Sequence, residues 1–218
     1  MSKLVLNKPL LLVLYGLPGA GKTTFARQFC EAVQAVHIQA DRIRAELFEK
    51  PRYDKAENQV VDHLVDYMMQ EFLNAGVSVV YDAEVVRSGQ RRVLREVARK
   101  AHAQYMLAWF QIDVESSFGR ISKRDRRTID SKYARDLNRT EYDAYIAAMQ
   151  HPGKDEDFVV LSGKHSFAMQ RSPLMKRLFE LNMINAENVS SGVIKPGMVN
   201  LVPDAGRVDM SRRNITIR

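Results

Sequence analysis

The chain has 218 residues, 45% hydrophobic and 27% charged, a globular composition long enough for one domain with additions or two small ones. A single cysteine, Cys30, excludes an internal disulfide framework; no apolar run reaches the ~18–20 residues a bilayer span needs and no cleavage site follows residues 10–14, so a cytoplasmic location is expected. The net charge is +7, and its excess is local: residues 87–139 hold 14 Lys/Arg against 6 Asp/Glu, whereas the other 165 residues hold 19 against 20. A basic block of this kind fits an anionic partner, either nucleotide phosphates, a phosphorylated substrate or nucleic acid, or else a solvated helix face.

Strand and helix patterns alternate along the chain. The apolar run 10–15 ends at Gly16 and reads as a buried strand. Phe25, Phe29 and Val33 recur at helical spacing. Residues 36–39 form a second short strand, and Asp41 stands where the cap of the next helix belongs. Val60, Val61, Leu64, Val65, Met68 and Phe72 predict a long helix over 54–75, with Gly76 just past its end. A third strand over 77–81 runs into Asp82. Ser88 is placed to cap a helix whose apolar face is Val93, Leu94, Val97, Ala98 and Ala101. A fourth strand covers 105–112, and an Arg-rich helix follows over 115–127. Thr140 and Asp143 have capping-box spacing for another helix. Residues 158–161 give a fifth strand, and a last helix is expected over 173–183. Residues 185–218 are rich in turn formers and read as an irregular extension, with a possible short strand at 212–218. Strands alternating with helices imply crossover units and a parallel sheet covered on both faces.

One motif carries the chemistry. Gly16, Leu17, Pro18, Gly19, Ala20, Gly21, Lys22 and Thr23 match G-x-x-x-x-G-K-[ST], and Thr24 follows. Glycines let the loop curl so that backbone N–H groups converge on phosphate oxygens, and the helix starting at Lys22 adds its positive end. Lys22 then reaches the β- and γ-phosphates, and the Thr23 hydroxyl is a hard oxygen suited to Mg²⁺. The motif lies between a strand and a helix, as the mechanism requires, so the substrate expected is ATP with Mg²⁺.

Other candidates sit at strand ends, where ligands of open parallel sheets bind. Asp82 ends the third strand and is a second candidate for Mg²⁺. Asp41, after the second strand, can accept the proton of an attacking hydroxyl, and Arg44, one turn on, can hold an anionic group of the acceptor or the transferring phosphate. Arg120, Arg124 and Arg127 are spaced to share one helix face that closes on the phosphates, Arg124 stabilising charge in the transition state. His63 reads as structural, and Met68–Met69 as core.

The stretches GLPGAGKTTFARQF, HIQADRIRAELF and SVVYDAEVVRSGQRRVL resemble the P-loop kinase group labelled AAA-type ATP-binding or predicted kinase. Its relatives include polynucleotide 5′-kinases, zeta-toxin-like kinases, chloramphenicol phosphotransferases and gluconate kinases. The resemblance covers about 10–161. It implies an α/β P-loop NTPase three-layer sandwich with a five-stranded parallel sheet and an Arg-rich helical lid over about 115–139, within a kinase domain spanning 1–184. It also implies Asp41 as general base and Arg44 as acceptor or phosphate contact. Ala83-Glu84 stand where relatives often carry Ala-Thr. The expected activity is transfer of the γ-phosphate to a hydroxyl of a small-molecule or nucleoside-type acceptor. The alternatives are a 5′-hydroxyl of nucleic acid, or a slowly hydrolysing switch, against which Asp41 argues. No N-K-x-D guanine signature is present, which favours ATP over GTP.

Overall fold

The computed structural model describes residues 3–153 and 155–185. Twelve elements follow in chain order: β1 (Leu10–Gly16), α1 (Lys22–Ala32), β2 (Ala35–Gln39), α2 (Ala40–Leu47), α3 (Lys55–Asn74), β3 (Ser78–Asp82), α4 (Ser88–Lys100), β4 (Gln104–Gln111), α5 (Val114–Ser122), α6 (Arg139–Ala148), β5 (Phe158–Ser162) and α7 (Phe167–Glu180). The five strands are parallel, in the order β2-β3-β1-β4-β5.

β1 is central and buried along its whole length, as a strand covered on both faces must be. Its alternate residues supply two separate cores. Leu12 and Leu14 pack with Phe25 and Phe29 of α1 and with Leu174 and Leu178 of α7. Leu11, Val13 and Tyr15 pack on the opposite side with Val61, Val65 and Met69 of α3 and with Leu94 and Ala98 of α4. The result is the three-layer α/β sandwich of P-loop NTPases. Its loops after β1, β2 and β3 open at one sheet edge, the carboxyl edge where such folds bind ligands.

Five local expectations are corrected. Asp41 is not a cap: Gln39 holds that position, and Asp41 lies within the first turn of α2. Ser88 is the first helical residue of α4, preceded by Arg87, whose N–H donates to Gln90 Oε1. The capping box of α6 is Asn138 with Glu141, at 2.9 and 3.0 Å, two residues before the pair read from the sequence. The Arg-rich helix stops at Ser122, because the Asp125 carboxylate accepts the N–H and guanidinium of Arg127 and turns the chain away. α7 begins at Phe167 and holds Pro173 inside it, since packing of Gln170, Leu174, Met175 and Leu178 overrides the helix-start preference of proline.

The apolar stripes also needed correction. Val60 and Val93 are exposed, while Arg91 of α4 is fully buried, forked onto Glu156 by two 2.8 Å hydrogen bonds. Gly76 follows α3 with φ +77°, as expected past a helix end. The extension over 186–218, including its possible strand, lies outside the described residues. Among the described residues no helix is long and apolar enough to cross a membrane.

Candidate active site

The loop 16–21 curls under α1 because its glycines permit it. Gly19 has φ +83°, and a Cβ there would come 2.5 Å from the Ser117 carbonyl; Gly21 has φ +92°. Both conformations are open to glycine and strained for other residues. Ser117 of α5 buttresses the loop by donating its hydroxyl to the Pro18 carbonyl. The loop forms the floor of a cleft of about 510 Å³ that also holds Thr23, Asp41, Arg44, Asp82, Arg120 and Arg124.

Lys22 opens α1 and turns back over the loop. Its ammonium donates to the carbonyls of Gly16 and Leu17, both at 2.9 Å, and its third donor has no partner among the described residues. Burial lowers its pKa, opposed by the carboxylates of Asp82, Asp41 and Glu84. Thr23 and Thr24 follow along the same edge. The Asp82 carboxylate is buried, and its Oδ2 lies 3.0 Å from His37 Nε2.

Asp41 enters the cleft from the first turn of α2. It accepts the backbone N–H of Arg135 and makes no ion pair among the described residues. Burial, reinforced by Asp82, pushes its carboxyl up to about 6, against the pull of Arg135 N–H, Arg44 and Arg124. A carboxylate so tuned is a competent proton acceptor near neutral pH.

Arg44 reaches the cleft, but its two terminal nitrogens are committed. Nη1 donates to the buried Glu57 and Nη2 to Asn58, each at 2.7 Å, and the guanidinium lies 4.5 Å from the centre of the Tyr53 ring. Its Nε is buried and has no hydrogen-bond partner among the described residues. The geometry thus gives Arg44 a fixed place in the cleft wall, with its charge offset by Glu57.

The arginines of the expected lid face separate. Arg120, on α5, donates to the Gly163 carbonyl after β5 at 2.8 Å. Arg124, past the helix end, donates to the Arg135 carbonyl at 2.9 Å, and burial lowers its pKa. Both line the cleft. Arg127 does not: its side chain is 92% exposed and ion-paired with Asp125. The lid segment is tied down instead by Asp130, which accepts Arg27 Nε at 2.7 Å and the Thr24 hydroxyl.

Several cleft residues carry no sequence signal of their own. Arg135 lies 4.6 Å over the Tyr53 ring and pairs with Glu141. Tyr145 of α6 and Asn58 of α3 enter from helices, and burial pushes the Tyr145 phenol up. Glu84 and Asp62 line the same wall, both raised chiefly by burial. His37 had one available signal, a titratable residue within a short, otherwise mostly apolar strand. A second cavity of about 590 Å³, behind the loop at Leu17, Trp109 and Met149, is mostly apolar and holds none of the site's carboxylates; its charged lining residues are Asp113 and Lys164.

The donor set suits Mg²⁺. Thr23 and Asp82 offer one hydroxyl and one carboxylate, hard oxygens that complete a Mg²⁺ shell together with phosphates and waters. Among the described residues no group of three or more His, Cys, Asp or Glu could hold a metal by itself. That pattern matches an ion carried in with a nucleotide rather than a resident metal.

This cleft on this sheet defines a P-loop nucleotide-binding protein with a kinase-like fold. The chain belongs to a family described as an AAA domain, whose model matches residues 11–152. No curated protein sequence matches it. Among solved structures, Kti12 from Chaetomium thermophilum in complex with ADP-AlF3 superposes with a TM-score of 0.59 at 18% identity, covering 80% of this chain and 100% of that one. An unliganded sugar kinase from Janibacter sp. HTCC2649 gives 0.56 at 18%, covering 81% and 95%. The APS kinase of Mycobacterium tuberculosis with AMPPNP and APS gives 0.55 at 16%, covering 79% and 98%. At these identities the likeness is one of fold.

Proposed function

We propose that the protein is an ATP-dependent phosphotransferase that moves the γ-phosphate to a hydroxyl of a small-molecule or nucleoside-type acceptor. The observation that carries this reading is Asp41: a carboxylate raised chiefly by burial, with no ion pair among the described residues, in the same cleft as Lys22, Thr23 and Asp82. A protein that only binds and hydrolyses nucleotide has no need of a proton acceptor on the acceptor side.

In the proposed reaction the loop N–H groups and Lys22 hold the β- and γ-phosphates. The acceptor oxygen attacks the γ-phosphorus, the bond to the β–γ bridging oxygen breaks, and ADP leaves. The hydroxyl proton passes to Asp41. Thr23 and Asp82 would hold Mg²⁺, which neutralises charge on the phosphates when bound. Arg124 meets the charge that spreads over the transferring group, and Arg120 fixes the nucleotide side of the lid. ADP-AlF3 and AMPPNP in two structural neighbours support the nucleotide half of the reading.

The test is a transfer screen with γ-labelled ATP against nucleosides, sugars, aminoglycoside and phenicol alcohols, and 5′-hydroxyl oligonucleotides. Label is expected on one class of small alcohol. ATP turnover equal with and without every acceptor, and unchanged in Asp41→Asn, would instead mark a switch-type hydrolase.

A further inference from the structure

We infer that His37 is a positioning residue for Asp82: its Nε2–H holds one carboxylate oxygen so that the other is left for Mg²⁺. The inference rests on the proposed role of Asp82 and goes beyond it to a residue on a different strand.

The register of the sheet creates the contact. His37 of β2 lies opposite Val80 of β3, so the two share a face, and Val80 packs into the core beneath α1. Asp82, two residues beyond Val80, points to the same face. His37 and Asp82 are therefore diagonal neighbours, a separation that a long side chain can bridge. The ring does so, with Nε2 3.0 Å from Oδ2, and only 19% and 7% of the two side chains is exposed.

The chemistry of the two groups fixes who donates. An ionised carboxylate only accepts, so Nε2 carries the proton. Among the described residues no other hydrogen bond to Asp82 occurs, so this one restrains the torsion that swings Oδ1 and Oδ2. Without it a buried carboxylate would be free to turn toward the Lys22 ammonium, on which Asp82 exerts the largest pull of the cleft's carboxylates. Outer partners that orient a metal-binding carboxylate act in this way.

A merely structural histidine would satisfy the same buried oxygen, and the experiment separates the two roles. ATP affinity is measured by calorimetry for wild type, His37→Leu, His37→Gln and His37→Asn, each in Mg²⁺ and in EDTA, with the Mg²⁺ concentration for half-maximal tightening as the main readout. Leu fills the space without a donor. Gln carries an N–H as many bonds from the backbone as Nε2, and the amide of Asn falls short. The Leu and Asn variants are expected to need about 10–100-fold more Mg²⁺, with unchanged affinity in EDTA, and Gln is expected to restore the wild-type midpoint to within a few-fold. An unchanged midpoint in folded Leu or Asn variants would overturn the inference, as would equal losses in Mg²⁺ and EDTA. Asp82→Asn run alongside separates the layers: if it loses the Mg²⁺ dependence while His37→Leu keeps it, His37 alone is misread. If neither affects it, or wild type binds no ATP, the proposed site falls as well.

Discussion

The surroundings of Asp41 set the proton affinity of its carboxylate. Burial and Asp82 raise its pKa, while the N–H of Arg135 and two arginines hold the rise to about 6. If Asp41 takes the acceptor's proton, transfer falls as pH drops below about 6, because the protonated form cannot act. Asp41→Asn is expected to lower transfer by roughly 10²–10⁴-fold and to abolish that acid limb, with ATP affinity little changed. The stability effect has a definite sign. A carboxyl whose pKa is raised on folding favours the folded state while protonated, and loses that contribution as pH rises through about 6. The Asn variant should therefore melt higher than wild type at pH 8, with the gain vanishing near pH 4. Paired melting curves and pH–rate profiles check both. A variant with near wild-type transfer would remove Asp41 from the chemistry.

At the scale of elements, the lid separates what spacing promised from what the fold built. Arg120, Arg124 and Arg127 are spaced for one helix face, but α5 ends at Ser122 and the three point to different places. Arg124→Ala is expected to lower turnover more than it weakens ATP binding, since its charge opposes one that grows in the transition state. Arg127→Ala is expected to change neither, because its partner is Asp125 at the surface. Steady-state kinetics beside nucleotide affinity reads both, and a loss in Arg127→Ala matching that of Arg124→Ala would restore the shared face. The five strands were legible because apolar runs bounded by turns are what buried strands require. The lid was not, because its path depends on Asp125 and on Asp130 meeting Arg27, 103 residues away. Buried Arg91 was hidden for the same reason: its partner Glu156 lies 65 residues on, and nothing local marks either as interior.

For the whole molecule, the P-loop was legible in the sequence and the cleft wall that faces it was not. The P-loop announces itself because phosphate binding fixes residue type and spacing together. The cleft wall of Tyr53, Asn58, Glu84, Arg135 and Tyr145 is assembled from two helices and three loops, and no spacing records it. The strand order explains this, since it brings the ends of β1, β2 and β3 together although β2 and β3 are separated by two helices.

The basic block over residues 87–139 is likewise seen differently once folded. Arg91, Arg99, Arg126, Arg127, Arg135 and Arg139 are ion-paired, and Glu141, Asp143 and Glu156 reach in from outside the block to supply part of the compensation. Arg120 and Arg124 turn inward to backbone carbonyls at the cleft. Of the fourteen cations that a count along the sequence presents as one surface, six are thus ion-paired and two are turned into the cleft. This bears on the choice of acceptor. A protein that tracks a nucleic-acid backbone releases counterions, and its affinity falls steeply with salt, by about 0.7 in log K per log salt for each single-strand phosphate contact. Aromatic platforms for bases would add to that affinity, yet Tyr53 is occupied by the guanidinium groups of Arg44 and Arg135. A 5′-hydroxyl oligonucleotide is therefore expected to bind weakly, with a salt slope near that of one contact, and to accept phosphate poorly beside a small alcohol. Fluorescence anisotropy of a labelled single strand across a salt series, with ATP present, gives the slope directly. A slope equivalent to four or more contacts, together with efficient 5′-labelling, would reverse the preference and make the polynucleotide the acceptor.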